Sequence, residues 1–265
     1  MLKMEHIDEG RAFDWGKTSP DYAKYRDVYP EEFYRQIVEL GHCTAGQDVL
    51  DLGTGTGVLP RNLYAHGARW TGVDLAENQI AEAVRLAAEG NMDIRFFTAQ
   101  AEHTGLPDHS FDVITACQCF FYFDAARMAQ EISRMLREEG HFLELFMAWL
   151  PFENEIAAKS EELVLQYNPS WNACGMQRTV YPSAPEWSLE LFDYEHILCY
   201  DISVPFTRES WNGRIRACRG IGASLSPAEV EAFDREHMEL LHNIAPEQFD
   251  ILHFASLLDF KRKKA

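Results

Sequence analysis

The sequence predicts an α/β protein built on a doubly wound, mostly parallel sheet of seven strands. Short apolar segments, several of them rich in β-branched residues, alternate along the chain with segments that repeat apolar residues at helical spacing. This alternation is typical of parallel strands joined by helices that cover both faces of a sheet. Late in the chain the alternation breaks, and helical segments inserted between the last strands are expected to form a lid.

Seven segments have the pattern of strands. The first is a five-residue apolar segment that ends at glycines, and the fourth carries consecutive β-branched residues at 113–115. The sixth alternates apolar and polar residues, as a strand with one buried face does. The expected strands are 48–52, 70–74, 93–98, 111–116, 141–147, 196–204 and 249–260.

The helices are predicted from apolar spacing and from residues that cap helix ends. Pro30 stands where a first helical turn would begin, and Phe33 and Ile37 follow at helical spacing, which predicts a helix over 31–40. Ser226 and Glu229 form a capping box with proline at the first helical position, so a helix is expected from there to about residue 244. The other helices are expected at 58–65, 77–88, 125–136, 151–166 and 208–217.

Composition and charge exclude several classes of protein. The chain has 265 residues, of which 46% are apolar and 25% charged, so it can bury a sizeable core and is not a disordered chain. It carries 24 Lys and Arg against 42 Asp and Glu, a net charge of −18, which repels the phosphates of nucleic acids. The one basic run, at 261–264, is expected to be a solvated tail rather than a membrane-binding patch.

Nothing in the sequence predicts secretion or a membrane span. The first ten residues are polar and of mixed charge, and no apolar stretch approaches the ~18 residues that a span requires. The six cysteines show neither zinc-knuckle nor C-x-x-C spacing. We therefore expect a reduced, cytoplasmic protein, a monomer or homodimer, with no membrane, nucleic acid or metal among its partners.

The most informative motif is Val-Leu-Asp-Leu-Gly-Thr-Gly-Thr-Gly at residues 49–57, which follows the first strand and opens a helix. Its three glycines let the backbone turn tightly and approach a ligand closely. In an open α/β sheet this turn lies at the carboxyl ends of the strands, where ligands bind. Asp74 ends the second strand, and a carboxylate there can hold both hydroxyls of a ribose.

Two cofactors compete for such a turn. A dinucleotide site usually reads G-x-G-x-x-G and places a pyrophosphate at a helix N-terminus. Here the spacing is G-x-G-x-G, and Asp51, two residues before the first glycine, would repel a pyrophosphate. A carboxylate at that point suits a cationic ligand with an ammonium or sulfonium group, which favours S-adenosylmethionine over NAD. A plain tight turn without a ligand is the third alternative.

Residues 45–147 resemble the core of the class I S-adenosylmethionine-dependent methyltransferases, most closely the group that includes ubiquinone, menaquinone and trans-aconitate methyltransferases. Residues 49–57 match the family's first motif, and Asp74 matches its ribose-binding acid. Residues 101–114 resemble its "A-E-x-L-P … S-F-D" segment, and residues 116–124 its fourth-strand exit, often A-x-Q-A-x-H-W-F-D. The resemblance implies a Rossmann-like methyltransferase fold, S-adenosylmethionine as cofactor and S-adenosylhomocysteine as product.

The resemblance also implies which residues hold the cofactor. In the relatives, residues around the alanine of the second segment contact the adenine. Gln100 stands where many of them carry aspartate, and its side-chain oxygen can accept the same hydrogen bond. The implied set in the core is Asp51, Gly53, Thr54, Gly55, Gly57, Asp74, Leu75, Gln100, Ala101, Glu102, Cys117 and Gln118.

Residues 22–30 resemble an N-terminal arm of the same group, Y-x-x-x-R-x-x-Y-P, that folds over the cofactor. Tyr22 and Arg26 are the arm residues expected to meet the cofactor's carboxylate; the alternative is an arm that only packs on the sheet edge. The predicted organisation is an arm over the cofactor, a cofactor-binding core, two lid or acceptor-binding insertions, and the final strands. The arm comprises residues 1–30 and the core residues 31–148. The insertions are 149–195 and 206–248, and the final strands lie in 196–205 and 249–265.

Methyl transfer requires no fixed catalytic triad. The leaving group of the displacement is neutral, so proximity and alignment supply most of the barrier reduction, and a base is needed only where the acceptor must lose a proton. Tyr122 takes the place of the family's usual histidine and is the candidate catalytic residue. Substrate contacts are predicted for Phe120, Tyr122, Trp149, Trp211 and Arg208, although the tryptophans could equally form the lid's own core.

Cys117 and Cys119 flank Gln118 at the exit of the fourth strand. Strand alternation would place both thiols on the same side of the sheet. We expect them to be small packing residues beside the cofactor; the alternative is a redox or soft-metal role.

The sequence therefore predicts an enzyme that methylates a small molecule. The segment Cys-Gln-Cys-Phe at 117–120 replaces the N/D-P-P-Y/F motif of enzymes that methylate DNA or release factors, which argues against those acceptors. Two alternatives stay open: a non-catalytic module that senses S-adenosylmethionine, and an NAD-dependent oxidoreductase. Turnover tests the first alternative, and cofactor preference tests the second.

Overall fold

A computed structural model describes residues 2–26, 29–181 and 183–264. The seven predicted strands are all present: β1 (Asp48–Leu52), β2 (Arg69–Asp74), β3 (Arg95–Thr98), β4 (Phe111–Cys117), β5 (Leu136–Trp149), β6 (Phe192–Thr207) and β7 (Gln248–Arg262). They form one mixed sheet in the order β3-β2-β1-β4-β5-β7-β6, with helices on both sides. The predicted fold class is confirmed.

The helices follow the predicted segments closely. They are α1 (Ser19–Tyr25), α2 (Glu31–Glu39), α3 (Val58–Leu63), α4 (Glu77–Glu89), α5 (Ala125–Met135), α6 (Glu155–Tyr167), α7 (Arg208–Arg216) and α8 (Pro227–Ile244). The capping box predicted at the start of α8 is present, with the Glu229 carboxylate accepting from the Ser226 N–H at 2.8 Å. None of the helices in the described part of the chain is both long and apolar enough to cross a membrane.

Several elements differ from the prediction. α6 begins at Glu155 rather than at residue 151, and β6 begins at Phe192 rather than at residue 196. α1 was not predicted, because its seven residues span fewer than two turns and show no apolar period. β5 begins at Leu136, whereas the prediction began at His141. The pairing of β4 with β5 shifts between Phe111, opposite Leu136, and Val113, opposite His141, so an irregular segment interrupts the strand.

The parallel pairing brings the ends of three strands to one edge of the sheet. Leu52 of β1 lies opposite Val73 of β2 on one side and opposite Ala116 of β4 on the other. The turn after β1, the carboxylate that ends β2 and the residues after β4 therefore emerge side by side. This is the edge at which open α/β sheets bind ligands.

The chain divides into two compact units. Unit 1 comprises Met1–Val28, Ala148–Arg178 and Asp201–Phe254, and unit 2 comprises Tyr29–Met147, Thr179–Tyr200 and Ala255–Ala265. The insertion predicted at 149–195 is thus divided between the units, whereas the one at 206–248 falls within unit 1. Their roles as lid and acceptor site stay predictions.

The main core of unit 2 lies between the sheet and α5. Even-numbered residues of β1, β4 and β5 share one face of the sheet, because side chains alternate along a strand. Met128 and Ile132 of α5 pack on this face, at helical spacing. The strand residues in this core include Leu50, Leu52, Ile114, Ala116 and Phe142.

Candidate functional site

The turn after β1 depends on glycine backbone. Gly53, Gly55 and Gly57 have φ angles of +62°, +55° and +73°, in the left-handed region that side chains disfavour. A Cβ at Gly53 would lie 2.8 Å from the Cys119 sulfur. The turn therefore packs its backbone directly against the strand-four exit at Gly53.

Asp74 connects the second strand to this turn. Its Oδ2 accepts the Gly55 N–H at 2.9 Å, and its Oδ1 accepts the Ala76 N–H at 2.8 Å. Burial raises the pKa of Asp74, although the hydrogen bonds from backbone N–H groups oppose that rise. Each carboxylate oxygen keeps a second lone pair, so the group can also accept hydrogen bonds from a diol.

Asp51 is a second buried carboxyl beneath the turn, with 2% of its surface exposed. The Thr115 hydroxyl donates to its Oδ1 at 2.6 Å. Burial raises the pKa of Asp51 to about 7, against the lowering effect of the hydrogen bond from Thr115. A nearby cation would stabilise the ionised form of such a carboxyl, so the site suits a positively charged ligand.

The strand-four exit turns sharply at Gln118, whose φ is +63° and whose N–H donates to the Leu145 carbonyl at 2.9 Å. Because β4 ends at Cys117, simple strand alternation does not extend to Cys119. The Cys119 thiol donates to the Leu52 carbonyl at 3.1 Å, and burial raises its pKa well above the usual value. Cys119 is thus a neutral packing residue, as the first of the two interpretations held.

The residues predicted to contact adenine follow β3. Ala101 is buried, Glu102 is half-buried and Gln100 is exposed. Leu75, directly after the Asp74 carboxylate, has 47% of its surface exposed. An exposed apolar side chain beside the Asp74 carboxylate offers a surface that a flat aromatic base can cover.

The aromatic segment after Cys119 divides its side chains between core and surface. Phe120 is buried, with its ring 5.4 Å from that of Phe142 and 4.9 Å from that of Trp187. Phe121 is 46% exposed, and the half-buried Tyr122 ring lies 4.4 Å from it. Burial does not support the predicted substrate contact for Phe120, which fills the core. Tyr122 keeps its place as a candidate.

Glu144 is a residue of this face that the sequence reasoning missed. It lies in β5 opposite Ala116 of β4, close to the edge where the glycine turn emerges. Burial alone raises its pKa to about 7, and its charge in turn raises the pKa values of Cys119, Tyr181 and Tyr194. A single glutamate in an apolar strand, on the face that carries Phe142, is the signal that could have found it.

Tyr29 is a second residue that was missed. Its hydroxyl lies 3.6 Å from the Cys117 sulfur, and its ring stacks on Phe33 at 4.7 Å. Tyr29 could have been found from the arm motif at 22–30, because it is the tyrosine of the motif's final Tyr-Pro pair. The arm residues chosen instead, Tyr22 and Arg26, lie in unit 1, where the guanidinium of Arg26 sits 4.6 Å from the Tyr22 ring. Their contact with a cofactor stays a prediction.

Three residues predicted to contact the substrate, Trp149, Trp211 and Arg208, lie in unit 1 and contact other residues of that unit. Trp211 is 0% exposed and donates to the Ser160 hydroxyl at 2.9 Å. Trp149 packs on Trp211 at 5.4 Å and donates to Glu161 at 2.6 Å. Both tryptophans are therefore packed inside unit 1, which supports the alternative that they belong to the lid's own core; their contact with a substrate stays a prediction.

Arg208 is held in the same way. Its Nε and one terminal nitrogen donate to the Ala245 carbonyl at 3.0 and 2.8 Å, and the other pairs with Glu247 at 3.1 Å. These contacts use three of the five N–H donors of the guanidinium and anchor it to the segment after α8. Contact of Arg208 with a substrate stays a prediction.

Comparison with known proteins agrees with this geometry. Residues 49–140 match the family model described as a methyltransferase domain. An uncharacterized methyltransferase, YcgJ of Bacillus subtilis, is 33% identical over 124 residues, which cover 45% of this chain and 49% of that protein. The demethylmenaquinone methyltransferase of Thermus thermophilus is 35% identical over 114 residues, covering 42% of this chain and 52% of that protein. The chain spans about half the length of these relatives.

The crystal structure of YcgJ superposes with a TM-score of 0.57 at 23% identity, covering 89% of this chain and 100% of that chain. This likeness confirms the Rossmann-like fold. The match of residues 49–140 to a methyltransferase domain agrees with the resemblance that the motifs show.

Proposed function

We propose that this chain transfers a methyl group from S-adenosylmethionine to a small-molecule acceptor by in-line displacement. The observation that carries the proposal is the hydrogen bond that ties the glycine turn to Asp74, with the Gly55 N–H 2.9 Å from Oδ2. It holds a ligand cradle and a diol-binding carboxylate in one rigid arrangement beside the buried Asp51. Pre-organisation of this kind is what a displacement controlled by proximity requires.

Different residues of unit 2 would bind the different chemical parts of the cofactor. Asp74 would accept the ribose hydroxyls, the glycine turn would lie against the methionine part, and Asp51 would favour positive charge. Leu75 and Ala101 would flank the adenine. When bound, S-adenosylmethionine supplies an electrophilic methyl group on a sulfonium centre.

Acceptors that must lose a proton need a base near the reacting atom, and we assign that role to Glu144. Its carboxyl titrates near neutrality because it is buried, which is the range in which a general base works best. Tyr122 remains the other candidate, as a residue that orients the acceptor. The predicted acceptor-binding insertions at 149–195 and 206–248 belong to the same proposal.

Thermal unfolding with three ligands tests the proposal first. At about 100 times its dissociation constant, a ligand stabilises the folded chain by ~2.7 kcal/mol, which raises the Tm by several degrees. We expect S-adenosylmethionine and S-adenosylhomocysteine to produce this shift and NAD to produce none. A shift with NAD alone would contradict the proposal, whereas cofactor binding without turnover across an acceptor screen would favour a sensor module.

Replacement of Asp74 by alanine should weaken S-adenosylmethionine binding by ~100-fold or more. The change removes the hydrogen bonds of a carboxylate to a diol, each worth about 1.5–3 kcal/mol, and frees the N–H groups of Gly55 and Ala76. Calorimetric titration of the variant measures the loss. The exposed Asp93, replaced by alanine, is the matched control and should bind as the unmodified protein does. Equal affinity in both variants would remove Asp74 from the site.

A further inference from the structure

A second cluster of functional side chains lies in unit 2, away from the glycine turn. His42 follows α2, His141 lies in β5 opposite Val113, and Asp259 lies in β7. The glycine turn emerges at the carboxyl ends of the parallel strands, whereas Val113 stands near the start of β4. The cluster therefore belongs to the other end of the sheet, and the proposed methyl transfer does not use it.

The three side chains converge on one carboxylate. Asp259 Oδ2 lies 3.1 Å from His42 Nε2, and Asp259 Oδ1 lies 2.7 Å from His141 Nδ1. The two imidazole rings are 4.6 Å apart, and one nitrogen or oxygen from each residue lies within 4.8 Å of the others. In a tetrahedral zinc site with bonds of 2.0–2.1 Å, neighbouring ligand atoms are about 3.3 Å apart. The two distances from Asp259 to the histidines, 3.1 and 2.7 Å, lie within about 0.6 Å of this value.

Burial makes the cluster unusual. The Asp259 side chain is 0% exposed and that of His42 is 6% exposed. A wholly buried carboxylate needs hydrogen bonds, an opposite charge or a metal ion to compensate for its lost contact with water.

The cluster forms the floor of a cleft that reaches solvent, with a volume of about 440 Å³. Glu195 and His196 stand at its rim, and each offers a ligand atom within 4.8 Å of the other and of Asp259. Lys261 approaches Glu195 at 3.7 Å and pairs with Glu139 at 2.6 Å, so the rim carries both signs of charge. The cleft gives an ion a path to the buried ligands.

We propose that His42, His141 and Asp259 bind a divalent transition-metal ion of the zinc class, with Glu195 or His196 as the fourth ligand. Two imidazole nitrogens and a carboxylate form a donor set that suits zinc better than the oxygen-seeking calcium or magnesium ions. A bound ion would link the segment after α2 to β5 and β7. Its role is structural, because the ligands lie at the end of the sheet away from the glycine turn.

Zinc titration of the full chain tests the site. The chain, stripped with a chelator, carries Cys199→Ser, since this exposed thiol could itself bind zinc. We expect one equivalent of Zn²⁺ to bind in competition with a chromophoric chelator and to raise the Tm, whereas Mg²⁺ should do neither. His141→Gln keeps a hydrogen-bond donor for Asp259 but removes the imidazole, and should weaken zinc binding by at least ~100-fold.

The control is His66→Ala, because His66 is an exposed histidine of the same unit. It should bind zinc as the parent protein does. Failure of the parent to bind one equivalent of Zn²⁺ would overturn the proposal, and so would equal zinc affinity in His141→Gln and the parent. In either case the cluster is a hydrogen-bonded His–Asp–His network without a metal. Neither outcome bears on methyl transfer, because the titration contains no S-adenosylmethionine.

Discussion

Replacement of Gly55 by valine should abolish S-adenosylmethionine binding while the chain stays folded. Gly55 has a φ of +55°, and its N–H donates to Asp74. A β-branched residue is strained in this region by at least ~1–2 kcal/mol. Relief of the strain would rotate the N–H away from Asp74, and the new side chain would occupy the cradle. Calorimetric titration should therefore detect no binding at concentrations ~100-fold above the dissociation constant of the unmodified chain.

Gly46→Val is the control that distinguishes loss of the cofactor-binding turn from the effect of backbone strain alone. Gly46 also has a left-handed φ, +92°, and a Cβ there would meet no atom within 4 Å. Both variants carry similar strain, so both should lose similar stability in denaturant unfolding, and only Gly55→Val should lose the ligand. If Gly55→Val bound S-adenosylmethionine within threefold of the unmodified chain, the ligand could not lie against this turn.

Local patterns were enough to predict the elements that bear the cofactor site. β1 begins and ends at the predicted residues, and the capping box of α8 is present, because both depend on neighbours within a few positions. The start of β5 was missed because its irregular pairing with β4 depends on a partner about 25 residues earlier in the sequence. Periodicity within one segment carries no information about such a partner.

Functional residues also differ in whether local sequence or a distant partner determines them. The glycine turn and Asp74 could be found because each follows a strand whose end is visible in the sequence. The pair of His42 with Asp259 could not, since the two residues lie 217 positions apart. Glu144 is visible as a single glutamate in an apolar strand, but its raised pKa depends on burial in the folded chain. Arg208 illustrates the same dependence on distant partners. An arginine in an acidic chain suggests an anion site, and its hydrogen bond to the Ala245 carbonyl cannot be predicted from local sequence.

Replacement of Glu144 by glutamine should make the chain more stable at pH 8 and leave its stability unchanged at or below pH 4.5. Burial raises the pKa of Glu144 from 4.5 to about 7 in the folded chain. Between these values the folded chain holds a proton that the unfolded chain has released, so the free energy of unfolding falls as pH rises. The shift corresponds to about 3 kcal/mol at 1.36 kcal/mol per pKa unit. The neutral glutamine never incurs this cost.

Denaturant unfolding of both proteins at pH 4.5 and pH 8 measures the effect. Asp51 also titrates near 7, but it is present in both proteins and cancels in the difference. Glu186→Gln, at an exposed position of the same unit, should show no such pH dependence. Turnover at saturating cofactor should rise with pH through 7 in the unmodified chain and stay low in Glu144→Gln. Because the unfolding measurement needs no acceptor, an equal stability difference at both pH values would by itself exclude Glu144 as a base poised near neutrality.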